Sequence, residues 1–198
     1  MCSRFELSAT PEEIAQRFGL SVAGNMPNRG ERRPTDPALV ITAQGPHLKN
    51  WGLAVDWDTK PLINARAETL KTKKTFRSLL ENRCLVPASA YFEWRKDGAA
   101  KRKNCISLAD GNQTESLFAF AGLCDGGRFT IITCQPAPSI AHIHHRMPVI
   151  MDREAEARWI DPNMPFELVS GTLSPYQSDD LEADEEIPPP DPQPDLFD

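Results

Sequence analysis

The chain has 198 residues, of which 40% are hydrophobic and 25% charged, and its formal net charge is -6. This length suits one domain with a sizeable core, and the composition is ordinary for a globular protein. No run of about 18 apolar residues is present, so the sequence predicts no membrane-spanning helix. The first residues lack a basic-then-apolar signal pattern, which indicates a cytoplasmic location.

The negative charge is concentrated at the end of the sequence. Residues 179–198 contain nine acidic and no basic residues, which leaves 19 acidic against 22 basic residues elsewhere. The same segment has five prolines and very little that a core could bury. We therefore predict a folded domain over 1–175 and an acidic, proline-rich, disordered tail over 176–198. A mildly basic body is compatible with a polyanionic ligand.

Strand-like segments dominate the body, with a few short helices. Thr10 and Glu13 form a capping-box pattern that predicts a helix ending at Gly19, and further helices are predicted over 72–81 and 152–159. Residues 25–37 read as an irregular loop. The pattern predicts a β-rich α+β domain with one mixed sheet or open barrel and short peripheral helices. The predicted strands cover 38–42, 47–57, 84–94 (interrupted at Pro87), 104–108, 117–123, 129–134 (after a Gly126-Gly127 turn), 147–151 and 166–169.

The five cysteines are odd in number and none forms a C-x-x-C pair. This argues against a disulfide framework and against a zinc site, and nothing else in the sequence calls for a metal or a cofactor. Cys84, Cys105, Cys124 and Cys134 lie in apolar runs and are expected to be small core residues.

Cys2 is different because of its position. If Met1 is removed, Cys2 carries a thiol and an α-amine on adjacent carbons. Such an amine has an ordinary pKa of about 8, and a thiolate is a strong nucleophile. An aldehyde that meets this pair can form an imine and then close a five-membered thiazolidine ring. The alternative is an ordinary flexible terminus.

Three further polar clusters interrupt apolar stretches. Glu93 stands between Phe92 and Trp94, where poor solvation would raise its pKa and suit it to proton transfer. A histidine beside an arginine is pushed toward its neutral form and can act as an acid or a base. Taken singly, each cluster also fits a surface ion pair, a turn cap or a loop. The clusters are 63–69 with Asn64 and Arg66, 91–94 with Glu93, and 143–148 with His144 and Arg146.

Taken together and in order, these blocks resemble the SOS response-associated peptidase (SRAP) family, which comprises abasic-site processing proteins that crosslink covalently to DNA. The resemblance extends over roughly residues 1 to 170, and one departure is Ser3, where the family has Gly. The matching blocks are Met1 through Phe5, Trp51-Gly52-Leu53, Ile63 through Thr69, Arg83 through Ala88, Phe92-Glu93-Trp94, Phe120 through Leu123, and His144 through Pro148.

The resemblance implies that the target is an abasic site in single-stranded DNA, trapped by Cys2 as a thiazolidine crosslink that shields the lesion during replication and the SOS response. It implies that Asn64 holds the Cys2 terminus or the sugar, that Glu93 shuttles protons and that His144 acts as acid and base. Autopeptidase and weak lyase activities are further implications. Flanking DNA would be bound through phosphate contacts of Arg4, Arg66 and Arg146 and base stacking on Trp51 or Trp57.

Two other classes of function remain open. An N-terminal-cysteine amidohydrolase would use Cys2 to attack an amide and would need an oxyanion hole. A non-covalent single-strand binding module would leave Cys2 incidental and would bind in a strongly salt-dependent way. In each case we expect a monomer without membrane contact.

The tail carries one more motif. Residues 193–197 are similar to the short Gln-x-Asp-Leu-Phe peptides with which bacterial replication proteins bind the sliding clamp. Leu196 and Phe197 would be the apolar anchors, with Gln193 as the polar one. Chance is the alternative for so short a motif. This motif would place the protein at the replication fork, in the nucleoid.

Overall fold

The computed structural model describes residues 2–21, 29–109, 116–177 and 180–186. Within these ranges the α-helices are α1 (Pro11–Phe18), α2 (Lys74–Arg77), α3 (Arg153–Ile160) and α4 (Phe166–Val169), and short 3-10 helices cover Ala67–Thr69, Pro138–Ile140 and Ser170–Thr172. The strands are β1 (Phe5–Leu7), β2 (Gly30–Arg32), β3 (Pro37–Thr42), β4 (Gly45–Trp51), β5 (Leu53–Val55), β6 (Asp58–Leu62), β7 (Asn64–Arg66), β8 (Arg83–Ala88), β9 (Ala90–Asp97), β10 (Ala100–Leu108), β11 (Phe118–Asp125), β12 (Arg128–Cys134), β13 (Met147–Pro148), β14 (Ile150–Met151) and β15 (Leu181–Glu185).

Five strands close into a barrel in the order β12-β4-β3-β8-β11, and β11 pairs again with β12. All these pairs are antiparallel except β4 with β12, so the barrel is mixed. Closure removes the free edges that an open sheet would leave. The predicted β-rich α+β class is confirmed, with a closed barrel as its centre.

A second, antiparallel sheet has the order β15-β10-β9-β1-β2. β1 lies in its interior, because Phe5 pairs with Arg32 on one side and with Tyr91 on the other. The start of the described chain is therefore held inside a sheet rather than left at the surface.

One apolar core joins the barrel to this second sheet. The Phe5 ring lies 5.1 Å from Trp51 and 6.0 Å from Phe120, and Tyr91 lies 5.9 Å from Phe120, all in edge-to-face geometry. Such pairs are favourable for aromatic rings and bury much apolar area. The core therefore fixes β1 and β9 against the barrel wall.

Most predicted elements are found, with small changes at their ends. The capping box of α1 is present, since Thr10 and Glu13 bond to each other's backbone N–H groups, and Gly19 ends the helix with φ 62°. The turn predicted at Gly126-Gly127 links β11 to β12. The helix predicted over 72–81 is only one turn long, α2.

Four expectations are wrong in detail. Residues 166–169 form helix α4 and not a strand, because Phe166 and Val169 are buried at helical spacing. Pro87 lies inside β8, and the interruption falls instead at Ser89, between β8 and β9. The described part of the loop predicted over 25–37 includes strand β2. Of the four cysteines expected in the core, Cys105 is only partly buried.

The predicted disordered tail begins too early, because residues 181–185 form β15, paired over five residues with β10. Leu181 is buried and anchors this strand. The clamp-like motif with Gln193, Leu196 and Phe197 lies outside the described residues. In the ranges that are described, none of the helices is long and apolar enough to cross a membrane.

Candidate active site

Cys2 is completely buried at the junction of the two sheets. Its Sγ donates to the backbone oxygen of Arg4 at 3.4 Å, and the next residues continue into β1. The backbone N–H of Phe92 in β9 donates to the same Arg4 oxygen at 3.0 Å. The position of Cys2 is therefore set by the pairing of β1 with β9.

Asn64 fixes Cys2 from the other side. Its side-chain amide Nδ2 donates to the Cys2 carbonyl at 2.7 Å, across 62 residues of sequence. Asn64 begins β7, which runs parallel to β12 in the register Asn64 with Ile131. The Trp51 indole donates to the Ile63 carbonyl at 2.9 Å and so holds the preceding residue. The buried Oδ1 of Asn64 has no hydrogen-bond partner within the described structure.

Glu93 is 3% exposed and lies on β9. Burial raises the pKa of its carboxyl, as expected for a charge taken out of water. The His144 Nδ1 lies 3.9 Å from the Glu93 carboxylate. Burial lowers the pKa of His144, so its imidazole is neutral at pH 7. The pair thus joins a carboxyl of increased basicity to an uncharged imidazole.

The thiol of Cys2 lies in the same buried environment as Glu93. Burial, and then the charge of Glu93, raise its pKa well above the ordinary value. The sulfur is therefore protonated at neutral pH, and any reaction as a thiolate needs a nearby group to take its proton.

His144 is held by its own loop. Its Nδ1 accepts from the backbone N–H of Arg146 at 3.1 Å and lies 3.0 Å from the Arg146 oxygen. The ring stacks on His145, with centroids 4.4 Å apart. The loop itself is tied down by Arg146, whose guanidinium makes two bonds to Glu68, at 2.7 and 2.9 Å, and one to the Thr133 carbonyl at 2.6 Å.

Glu93 and His144 line a cleft of about 730 Å³. Arg4 is at its edge, where the guanidinium is bonded to Glu31 at 2.8 Å and lies 5.5 Å from the Trp94 ring centroid. The cleft is lined by Ser3, Arg4, Glu93, Trp94, Lys96, Lys101 and residues 141–145. Its polar floor and basic rim suit an anionic ligand with a reactive polar centre.

The structure thus brings Cys2, Asn64, Glu93 and His144 together, as the sequence-based assignment requires. Arg66 and Trp57 are exposed and compatible with contacts to a ligand, with Trp57 at 67% exposure in the turn between β5 and β6.

Two of the predicted DNA contacts are not available in this structure. Trp51 is fully buried and stacks against Phe129, so no base can stack on it. Arg146 is 6% exposed and its guanidinium is engaged by Glu68 and Thr133, so a phosphate contact would require breaking that network. Both residues instead position their neighbours: Trp51 the residue before Asn64, and Arg146 the loop of His144.

Sequence reasoning missed other residues of the cleft. Lys96 and Lys101 lie on facing strands at the rim, and Trp94 supports Arg4. The available signal was the density of basic residues between positions 95 and 103. Glu68 lies in the 63–69 cluster but was not singled out from the sequence, and its two side-chain oxygens accept from Arg146.

A family model described as SOS response associated peptidase (SRAP) matches residues 1–185. The chain belongs to this family. The match includes β15, which supports a domain longer than the one predicted from composition.

Curated proteins that are similar to this SRAP chain match it over most of its length. The Abasic site processing protein YoqW of Bacillus subtilis is 35% identical over 92% of this chain and 91% of its own length. The Abasic site processing protein YedK of Escherichia coli is 30% identical over 81% and 79%, respectively.

Solved structures show the same SRAP fold. A protein from Bacteroides thetaiotaomicron is 26% identical and superimposes with a TM-score of 0.79 over 93% of this chain and 91% of that one. A protein from Bordetella bronchiseptica has a TM-score of 0.78 at 22% identity, covering 94% of this chain and 100% of its own, and so shares the fold.

Proposed function

We propose that this SRAP protein processes abasic sites in single-stranded DNA by forming a covalent thiazolidine crosslink through Cys2, after removal of Met1. The observation that carries the proposal is the convergence of Cys2, Asn64, Glu93 and His144 below one basic cleft. The names of the relatives, abasic site processing proteins, agree with this substrate class.

The reaction begins with opening of the abasic sugar ring, which exposes the aldehyde. His144 transfers a proton at the sugar hydroxyl during ring opening. The α-amine of Cys2 then attacks the aldehyde carbon, and loss of one water gives the imine. Asn64 orients this terminus through the Cys2 carbonyl, and its unpartnered Oδ1 is free to accept from the amine or a sugar hydroxyl.

Ring closure follows, when the sulfur adds to the imine carbon and its proton is passed to the imine nitrogen. Because the thiol is protonated at rest, a base must mediate this transfer. Glu93 fits this role, since its carboxyl carries a raised pKa and its charge reaches the Cys2 thiol. No electrons enter or leave, so neither a cofactor nor an oxidant is needed.

The test is crosslinking to a single-stranded oligonucleotide that contains one abasic site, with the product resolved on a denaturing gel. Cys2→Ala abolishes the shifted band. Cys105→Ala is the matched control, because Cys105 is another free thiol, on β10, and it keeps full crosslinking. Intact-mass spectrometry checks that Met1 is absent and that the adduct has lost one water. A crosslink that survives Cys2→Ala contradicts the proposal.

An imine at Cys2 also permits β-elimination, so weak lyase activity belongs to the same proposal. Cys2→Ser keeps the amine but weakens the second nucleophile, so we expect less stable crosslink and more strand cleavage. The family's peptidase label would then refer to release of the residue before Cys2. Autocatalytic release fails in Glu93→Gln, whereas release by a separate aminopeptidase does not.

The tail motif gives a separate proposal, binding of a sliding clamp through Gln193, Leu196 and Phe197, by a protein that is itself a monomer and acts at the replication fork. Its support is the sequence resemblance alone. A clamp pull-down that recovers the full chain but not a chain truncated at Pro190 would support it, and equal recovery would remove it.

A further inference from the structure

The hairpin formed by β9 and β10 places like charges opposite each other on its two strands. Its register places Lys96 opposite Lys101 and Arg95 opposite Arg102. Like charges directly opposite each other on a sheet repel and destabilise the pairing. Glu185 offsets the repulsion between Arg95 and Arg102, whereas Lys96 and Lys101 have no carboxylate partner among the described residues. The charge therefore points to a ligand.

This hairpin continues the basic rim of the cleft. Lys96 and Lys101 line the cleft together with Arg4 and His144. Within the described ranges neither lysine forms an ion pair, whereas Arg4 is paired with Glu31. The tip thus extends the positive surface outward from the buried Cys2.

The other cations of the hairpin are paired with carboxylates, chiefly those of the acidic strand β15. Asp97 also pairs with Arg102 at 3.2 Å, and Glu31 lies 3.6 Å from Lys103. Glu185 pairs with Arg95 at 2.6 Å and with Arg102 at 3.5 Å, and Glu186 pairs with Lys103 at 2.9 Å. The strand is held by its backbone pairing with β10 and by buried Leu181, independently of these charges. Its carboxylates form ion pairs with the guanidinium and ammonium groups that would otherwise bind a phosphate.

We propose that the β9–β10 hairpin is a second phosphate-binding surface for the DNA strand leaving the cleft, and that Glu185 and Glu186 of β15 partly mask it. This inference rests on the proposed function for its ligand. The side chains of these ion pairs are about a quarter to nearly half exposed, and exposed pairs are weak, so phosphates can displace the carboxylates. The mask lowers affinity for undamaged DNA and leaves selectivity to the covalent step.

The test compares two variants of the full chain that each remove two negative charges. Glu185→Gln/Glu186→Gln removes the ion pairs made by β15 and leaves the Arg102–Asp97 and Lys103–Glu31 pairs in place. The matched control Glu182→Gln/Asp184→Asn changes neighbouring residues of β15 that make no ion pair in the described structure. The Kd for undamaged single-stranded DNA is measured by fluorescence anisotropy over a salt series. Thermal unfolding of each variant checks that the fold is kept.

We expect the first variant to bind about 3- to 10-fold more tightly at low salt, with a salt slope steeper by about 0.7 for each cation that gains a phosphate. The control should change the Kd by less than about 2-fold, because Glu182 and Asp184 are not ion-pair partners of the hairpin cations in the described structure. Lys96→Gln/Lys101→Gln should weaken binding and flatten the slope.

Equal tightening in both charge variants would show a long-range field without local masking, and no tightening in either would show that the hairpin does not meet DNA. Each result overturns the inference. The readout is non-covalent binding of undamaged DNA, so it is separate from the crosslinking assay. A chain that fails to crosslink but shows these Kd changes would contradict the proposed function alone.

Discussion

The thiol of Cys2 is buried so deeply that it is not a thiolate at neutral pH. Burial and the charge of Glu93 raise its pKa, although the proposed reaction needs it to act as a nucleophile. The same burial raises the pKa of Glu93 and makes it a better proton acceptor. We therefore expect the thiol to give up its proton, to Glu93, only during ring closure. The resting protein then has no reactive thiolate exposed to oxidants.

This arrangement predicts how the crosslinking rate depends on pH in the wild-type protein and in Glu93→Gln. The wild-type crosslinking rate should fall as the pH drops through the raised pKa of Glu93, because the carboxylate that accepts the proton is lost. In Glu93→Gln we expect a rate lower by roughly 100-fold or more and an acid limb that has lost one ionisation. Single-turnover crosslinking between pH 5 and 8 measures both.

Glu154→Gln is the control for this substitution, since Glu154 is an exposed carboxylate on α3, and it should keep the wild-type profile. If Glu93→Gln only lowers the rate and keeps the shape of the acid limb, Glu93 is not the titrating base.

At the scale of elements, the barrel depends on close approach between β8, β11 and β12. Gly122 lies in β11, opposite Cys84 on one side and Ile131 on the other. A Cβ at this position would lie 2.8 Å from the Cys84 Sγ and 3.0 Å from the Thr130 carbonyl oxygen. Both distances are shorter than ordinary contacts, so the strand leaves no room for a methyl group.

We therefore expect Gly122→Ala to destabilise the fold by about 1–3 kcal/mol through overpacking. The matched control is Gly127→Ala in the β11–β12 turn, where a Cβ would meet nothing within 4 Å, and its effect should stay within about 0.5 kcal/mol. Urea unfolding followed by circular dichroism gives both values. Equal stabilities of the two variants would mean that the barrel wall adjusts at no cost.

At the scale of the whole molecule, one buried ion pair joins distant parts of the chain. Arg17 of α1 makes two bonds to Glu156 of α3, at 2.9 and 2.7 Å, and its Nε donates to the Leu117 carbonyl at 2.9 Å. The two side chains are only 5% and 7% exposed. Burial raises the pKa of Glu156 while Arg17 opposes the rise. Breaking such a pair leaves an uncompensated buried charge.

Arg17→Met should therefore destabilise the protein by about 3–5 kcal/mol at pH 8. Without Arg17 the folded-state pKa of Glu156 rises further above its unfolded value, so the ionised carboxylate is penalised more strongly as the pH rises. The loss should be clearly smaller at pH 5, where protonation relieves the charge. Urea unfolding at the two pH values measures this difference.

The double variant Arg17→Met/Glu156→Gln should regain part of the stability at pH 8 and lose the pH dependence. Arg29→Met serves as the exposed comparison, because Arg29 is 57% exposed and 4.0 Å from Glu13, and it should cost about 0.5 kcal/mol or less. A loss for Arg17→Met that is the same at pH 5 and pH 8 would show that Glu156 stays protonated throughout.

The sequence alone determined the elements whose signals are local. Capping residues and Gly19 defined α1, alternation of apolar residues defined most strands, and the ordered blocks from Cys2 to His144 indicated the family and the chemistry. These features depend on neighbours within a few residues, or on residue types that the proposed chemistry requires, so they can be read along the chain.

Only the tertiary structure decided which of those residues face the cleft. Trp51 and Arg146 resemble ligand contacts in the sequence, but long-range packing buries the first against Phe129 and pairs the second with Glu68. The acidic residues after Leu181 read as a disordered tail until β10 supplied a strand edge and basic partners. Burial, strand pairing and charge pairing across the sheet join residues far apart in sequence, and no local pattern encodes them.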